Sequence, residues 1–177
     1  MSLTRARKSL GQHFLVDRRV LGRILDAAEL SPDDLVVEIG PGKGVLTKAL
    51  VSRVKRVVAV ELDPELAKSL ATAFRDRPDV EVVEADAREV AIESLVPPGT
   101  PYKIVVNLPY YAASPIVRRF LEAPHSPELM VFMVQREVAR SMSASPGGMT
   151  LLSVMVQLYG EARIVGYAPP RAFRPAP

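Results

Sequence analysis

The chain has 177 residues, of which 48% are hydrophobic and 24% charged, with a net charge of +3. That is enough for one domain with a full core, in the proportions of a globular protein. The absence of cysteine excludes disulfides and thiolate zinc sites, and no apolar run approaches the ~18 residues of a membrane span.

Charge is unevenly spread. Residues 1–25 hold Arg5, Arg7, Lys8, Arg18, Arg19 and Arg23 against Asp17 alone. Such a basic end is the footprint of a polyanion partner, or else a solvated tail. No apolar stretch follows it, so no secretory signal is expected, and a cytoplasmic location is. The two histidines, at 13 and 125, form no ligand pattern, so no metal is expected.

In chain order, the apolar residues Val20, Leu21, Ile24, Leu25 and Ala28 mark one face of a helix from about Asp17 to Leu30. After the turn "SPDD", "LVVEIG" reads as a buried strand, "GPGKG" breaks it, and "VLTKALVSRV" resumes as helix. "RVVAVEL" is the next strand. "DPELAKSLATAF" opens with Asp63 as N-cap and Pro64 at the first helical position. "VEVVEADA" is a third strand, with a short helix expected near 88–95. "YKIVVN" is a fourth strand, and "SPIVRRFLEA" repeats the cap-then-proline pattern at Ser114 and Pro115. "LMVFMVQ" is a fifth strand, followed by a helix near 136–143. "MTLLSVMVQLY" has the apolar content of a buried helix, and "ARIVGYA" that of a sixth strand. Strands alternating with helices predict an α/β fold, a mostly parallel sheet covered on both faces.

A glycine-rich turn directly after the first buried strand is a nucleotide-binding signal, weak alone. Gly40, Gly42 and Gly44 give G-x-G-x-G, not the dinucleotide G-x-G-x-x-G. Glu38 precedes the first glycine by two residues. A pyrophosphate would gain nothing from that carboxylate, whereas an ammonium or sulfonium would. S-adenosylmethionine carries both. Glu61 follows Gly40 by 21 residues, the spacing of a ribose-binding acid. Asp86, just past the third strand, suits an adenine amino group; its plainer role is a helix cap.

The fourth strand then ends beside the methyl group, in "NLPYY". The exocyclic amine of a base is a poor nucleophile, because its lone pair is delocalised into the ring. The Asn107 amide oxygen and a backbone carbonyl can accept from its N–H bonds and aim that lone pair. Pro109 has no N–H and keeps Leu108 extended, leaving carbonyls free. Tyr110 offers a flat face to a base outside its stack.

The stretches "KSLGQHFL", "VVEIGPGKGVLT", "VVAVELD", "EADA", "NLPYYAASPI", "MVQREVA", "LSVMVQLYG" and "PPRAFRPAP" run the length of the chain. In this order they resemble the KsgA-type small-subunit rRNA adenine N6,N6-dimethyltransferases. The resemblance implies a class I, Rossmann-like methyltransferase fold over residues 1–177, with 1–16 as a basic arm and cofactor lid. It implies that Gln12, Glu38, Gly40, Gly42, Glu61, Leu62, Asp86, Ala87 and Asn107 surround S-adenosylmethionine. Asn107, Leu108, Pro109 and Tyr110 would form the catalytic stretch, with Phe173 and Tyr110 sandwiching the target adenine. Arg5, Arg7 and Lys8 are expected on RNA phosphates, and His13 in packing. The partner implied is small-subunit rRNA within an immature subunit, for a full-length protein that is monomeric. The family pattern continues past "FRPAP" into a last strand and a helical domain, both absent here. A gap or a re-paired edge is therefore expected in this chain. Two readings stand beside this one: an Erm-like large-subunit rRNA methyltransferase, and a non-catalytic RNA-binding factor on the same fold. An NAD-dependent dehydrogenase is disfavoured by Glu38 and the glycine spacing.

Overall fold

The computed structural model describes residues 13–107 and 113–176. A short strand β1 (Phe14–Leu15) precedes helix α1 (Arg18–Ala27), and then β2 (Leu35–Ile39), α2 (Val45–Val51), β3 (Arg56–Glu61) and α3 (Pro64–Ala73) alternate. β4 (Val80–Glu84), α4 (Ile92–Leu95), β5 (Lys103–Asn107), α5 (Ala113–Leu121) and β6 (Leu129–Met133) continue the rhythm. Helices α6 (Arg136–Met142) and α7 (Leu151–Tyr159) and a last strand β7 (Phe173–Arg174) complete the described elements.

Five strands form one sheet in the order β4-β3-β2-β5-β6, with every neighbouring pair parallel. Alternation along each strand divides the core in two. Val36, Val57, Ala59 and Val105 face Leu25, Leu46, Leu50 and Leu70 from α1, α2 and α3. Val37, Ile39, Val58, Val60, Ile104 and Val106 face Ile92, Leu95, Ile116 and Phe120 from α4 and α5. The same alternation puts Glu38, Glu61 and Asn107, at the carboxyl ends of three adjacent strands, on the face that α2 covers. Asp63 caps α3 as expected, accepting from Glu65 N at 3.0 Å with Pro64 first in the helix. Asp17 does the same for α1, accepting from Arg19 N at 2.8 Å.

Four local expectations change. Helix α5 begins at Ala113, so Ser114 lies inside it and is not its cap. The helix near 88–95 shrinks to Ile92–Leu95, because Asp86 O closes a turn with Glu89 N and Val90 N. "ARIVGYA" makes no strand pairing. Its Tyr167 carbonyl takes Arg23 Nη2 at 2.8 Å, and the Tyr167 ring lies 5.1 Å from the Arg136 guanidinium. These side-chain anchors replace a ladder. Helix α7 is apolar but not buried: it packs chiefly on α5 and α6, leaving Leu151 and Leu158 87% and 77% exposed. β6 is an edge of the five-stranded sheet, no described residue pairs with its outer side, and one cavity is lined by both β6 and residues 162–168.

β1 and β7 pair antiparallel, Phe14 opposite Arg174 and Leu15 opposite Phe173. Val16 N extends the pairing to Ala172 O at 2.8 Å. Two-residue strands carry no readable periodicity, so nothing in the sequence announces them. Among the described residues no helix is long and apolar enough to cross a membrane.

The contrast between α5 and α7 is testable by urea unfolding. Phe120→Ala, at a fully buried position, is expected to cost about 3–5 kcal/mol. Leu158→Lys is expected to stay within about 0.5 kcal/mol of the parent, because the residue lies mostly in water.

Candidate active site

A cavity of about 910 Å³ opens at the carboxyl ends of the strands and runs on between β6 and residues 162–168. Glu38, Gly40, Gly42, Glu61, Leu62, Asp86, Ala87, Asn107 and Phe173 all line it. The structure thus brings together every expected site residue that it describes. Gln12, Leu108, Pro109, Tyr110, Arg5, Arg7 and Lys8 lie outside the described residues.

The turn after β2 is shaped by contact. Gly40 has φ +68°, and a Cβ there would stand 3.2 Å from the Asn107 carbonyl oxygen. Gly42 has φ +56°, and a Cβ there would meet the Phe14 ring at 3.0 Å. Neither position tolerates a side chain without strain. Gly42 N donates to Glu61 Oε2 at 2.9 Å, and Asp63 N donates to Oε1 at 3.0 Å. Glu61 is therefore no exposed strand-end acid: it is 6% exposed and holds the turn. Burial pushes its carboxyl above the usual range, opposed by those two N–H groups.

Glu38 lies deeper, 1% exposed on the central strand. Its Oε2 has no hydrogen-bond partner, and neither has the buried Thr47 hydroxyl of α2. Burial pushes the Glu38 carboxyl up to about 8, opposed by the Thr47 hydroxyl and backbone N–H and helped by the Glu61 charge, which counts for less than the hydroxyl.

Asp86 shows a partner that the sequence reading missed. Arg88 Nε sits 3.0 Å from both carboxylate oxygens, and Arg88 N donates to Oδ1 at 2.8 Å. The Arg88 side chain holds the Asp86 carboxyl below its ordinary range. The acid closes a local turn and also lines the cavity. Asn107 ends β5 on the near wall, opposite Met133 of β6. Phe173 lines the cavity while only 9% exposed, in the same buried cluster as Leu15, Val20 and Ile24.

Phe14, His13, Lys43 and Thr47 were also missed as parts of the site. Phe14 covers the Gly42 turn, with the Lys43 ammonium 4.7 Å from its ring centroid. His13 Nδ1 lies 3.0 Å from Pro175 O and lines the cavity, so its packing role is also a wall of the site. Only the position of "GQHFL" ahead of a glycine-rich turn hinted at this contact.

The donor set fits S-adenosylmethionine. An orphaned buried carboxylate oxygen suits a cation, Glu61 stands at the end of the next strand, and the turn admits a close ligand along its backbone. Among the described residues no group of three or more His, Cys, Asp or Glu side chains could hold a metal ion.

The model of the family described as ribosomal RNA adenine dimethylase matches residues 3–177. The chain belongs to the ribosomal RNA adenine dimethylase family. A ribosomal RNA small subunit methyltransferase A from Dehalococcoides mccartyi is 47% identical over 173 residues, covering 98% of this chain and 60% of that protein. Its counterpart from Geobacter metallireducens is 44% identical, over 98% of this chain and 64% of its own. The chain thus spans about 60% of the length of the curated relatives it matches. Among solved structures, 23S rRNA methyltransferase ErmE matches with TM-score 0.80 at 38% identity, over 93% of this chain and 65% of that one. A dimethyladenosine transferase from Plasmodium falciparum matches with TM-score 0.82 at 27% identity, over 93% and 59%. These members give the fold its class, a Rossmann-like methyltransferase, and bear out the family resemblance read from the motifs.

Glu38 makes stability depend on pH. The folded chain keeps the Glu38 proton up to about 8, whereas the unfolded chain loses it near 4.5. Between those values the unfolded state binds fewer protons, so stability falls as pH rises and then levels off. In Glu38→Gln that fall is absent. Urea unfolding of both proteins at about pH 5 and pH 8 should show the parent losing on the order of a few kcal/mol relative to the variant. Parallel behaviour would contradict an acid that is protonated when buried.

Proposed function

We propose that this chain is the catalytic domain of an S-adenosylmethionine-dependent rRNA adenine N6,N6-dimethyltransferase. Its substrate is two adjacent adenines in a hairpin loop near the 3′ end of small-subunit rRNA, within an immature subunit. The full-length protein acts as a cytoplasmic monomer. The observation that carries the reading is the convergence of Glu38, Glu61, Asp86 and Asn107 on one cavity at the ends of adjacent strands. The likeness to small subunit methyltransferase A proteins supports this target over the Erm-like one, with 47% identity against 38% for ErmE. The acids and Asn107 are all present, which disfavours a non-catalytic binding factor.

When bound, S-adenosylmethionine supplies a methyl group activated on a sulfonium. Glu61 would accept hydrogen bonds from the ribose hydroxyls while keeping the glycine turn in place, and Asp86 would accept one from the adenine amino group, with Leu62 and Ala87 beside it. Glu38 and Gln12 complete the cofactor's surroundings. The target amine donates one N–H to the Asn107 amide oxygen and another to a backbone carbonyl of the 107–110 stretch. This holds the nitrogen lone pair toward the methyl. Tyr110 and Phe173 stack the base, and Pro109 with Leu108 keeps the carbonyls presented. The methylated nitrogen would be cationic and would lose its proton to solvent, so positioning replaces a strong base.

Two measurements test this. In the full-length protein, Asn107→Ala should reduce methylation of immature small subunits by on the order of 100-fold or more, with RNA affinity little changed. A normal rate would refute the role of Asn107, and methylation of large-subunit rRNA alone would favour the Erm-like target. Neutralising Arg5, Arg7 and Lys8 together should lower the log–log salt slope of RNA binding by roughly 2, at ~0.7 per lost phosphate contact, with cofactor affinity unchanged. Coincident salt series for parent and variant would mean that the arm is only solvated.

A further inference from the structure

Glu38 sits in an unusual electrostatic position. Its strand neighbours are Ala59 on β3 and Val105 on β5, which offer no polar side chain. From α2 it meets Thr47, whose hydroxyl and backbone N–H favour the ionised form less than burial opposes it, while Glu38 Oε2 and that hydroxyl remain without a hydrogen-bond partner of good geometry. The charged group that reaches it from β3 is Glu61, an anion. The cation of the glycine turn, Lys43, is exposed and directed at the Phe14 ring. Asp63 is engaged in capping α3. No cation among the described residues compensates Glu38, yet the residue is part of the cavity lining. An ionised carboxylate so placed is costly, and the group avoids that cost by holding a proton.

We propose that Glu38 is protonated in the ligand-free protein and releases that proton when a cationic cofactor enters, so that capture is coupled to proton release at this residue. The inference rests on the cofactor reading above. The O–H bond of the carboxylic acid breaks, the proton leaves to solvent, and the carboxylate then faces the ammonium and sulfonium of the ligand. One positive charge enters the site as another departs. The acid therefore selects for charge: a nucleoside thioether lacking both cationic groups leaves the proton where it is. The high burial-driven affinity of Glu38 for its proton agrees with the geometry.

Calorimetric titration of the whole chain with S-adenosylmethionine, in buffers of different ionisation enthalpy at about pH 6.5, counts the protons. The parent is expected to release about one proton, and its affinity to rise close to tenfold per pH unit up to about 7.5. Glu38→Gln should release none and show a flat profile, while Glu61→Gln should keep the release even if it binds more weakly. 5′-Methylthioadenosine should bind the parent without proton release. A flat profile in the parent, equal proton counts in parent and Glu38→Gln, or release lost only in Glu61→Gln would each overturn the coupling. If Glu38→Gln fails to bind, the parent's pH profile and the uncharged ligand still decide. If neither ligand binds the parent, the cofactor reading itself falls, an outcome distinct from binding without release.

Discussion

The hydrogen bond from Gly42 N to Glu61 is the constraint on which the site depends. It fastens the turn after β2 to the end of β3, while the close passage of Gly40 against the Asn107 carbonyl presses the same turn against β5. Three strands are thereby locked in step at their carboxyl ends. Parallel pairing makes this possible, because it brings all three strand ends to one edge of the sheet. A side chain at Gly40 would push the turn away from the asparagine that the proposed chemistry needs beside it, and one at Gly42 would displace the Phe14 ring.

The cavity wall carries both signs, with Arg23, Lys43, Arg88, Arg136 and Arg163 beside Glu38, Glu61, Asp86, Glu128 and Glu161. The two acids of β2 and β3 meet different fates on one face. Glu61 accepts from two backbone N–H groups, whereas Glu38 keeps one buried oxygen without a partner. That difference sets one carboxylate up as a fixed acceptor and the other as a group free to exchange a proton.

Much of this was legible in the residues. Runs such as "LVVEI" and "KIVV" announce buried parallel strands, and the positions of Glu38, Glu61, Asp86 and Asn107 follow from where those runs stop. What escaped the sequence depended on tertiary contact. The hold of Arg88 on Asp86 is a local pairing that many sequences could make or omit. The exposure of α7 reflects which neighbours cover it, and its own composition argued the other way. Phe173 reads as an aromatic platform, yet its burial depends on a two-residue strand too short to show a period.

That strand has a consequence for how the molecule comes together. His13 and Pro175 meet across 162 positions of sequence, and the β1–β7 pair closes almost the whole described chain into a ring. Contacts of such separation give nothing back until the largest loop entropy has been overcome. The central sheet can form first, from neighbours in sequence. The wall that Phe14 and Phe173 share is held by a short backbone ladder and by the burial of Leu15, Ala172 and Phe173 in the core. Parting the two ends of the described chain would therefore cost core packing as well as strand pairing.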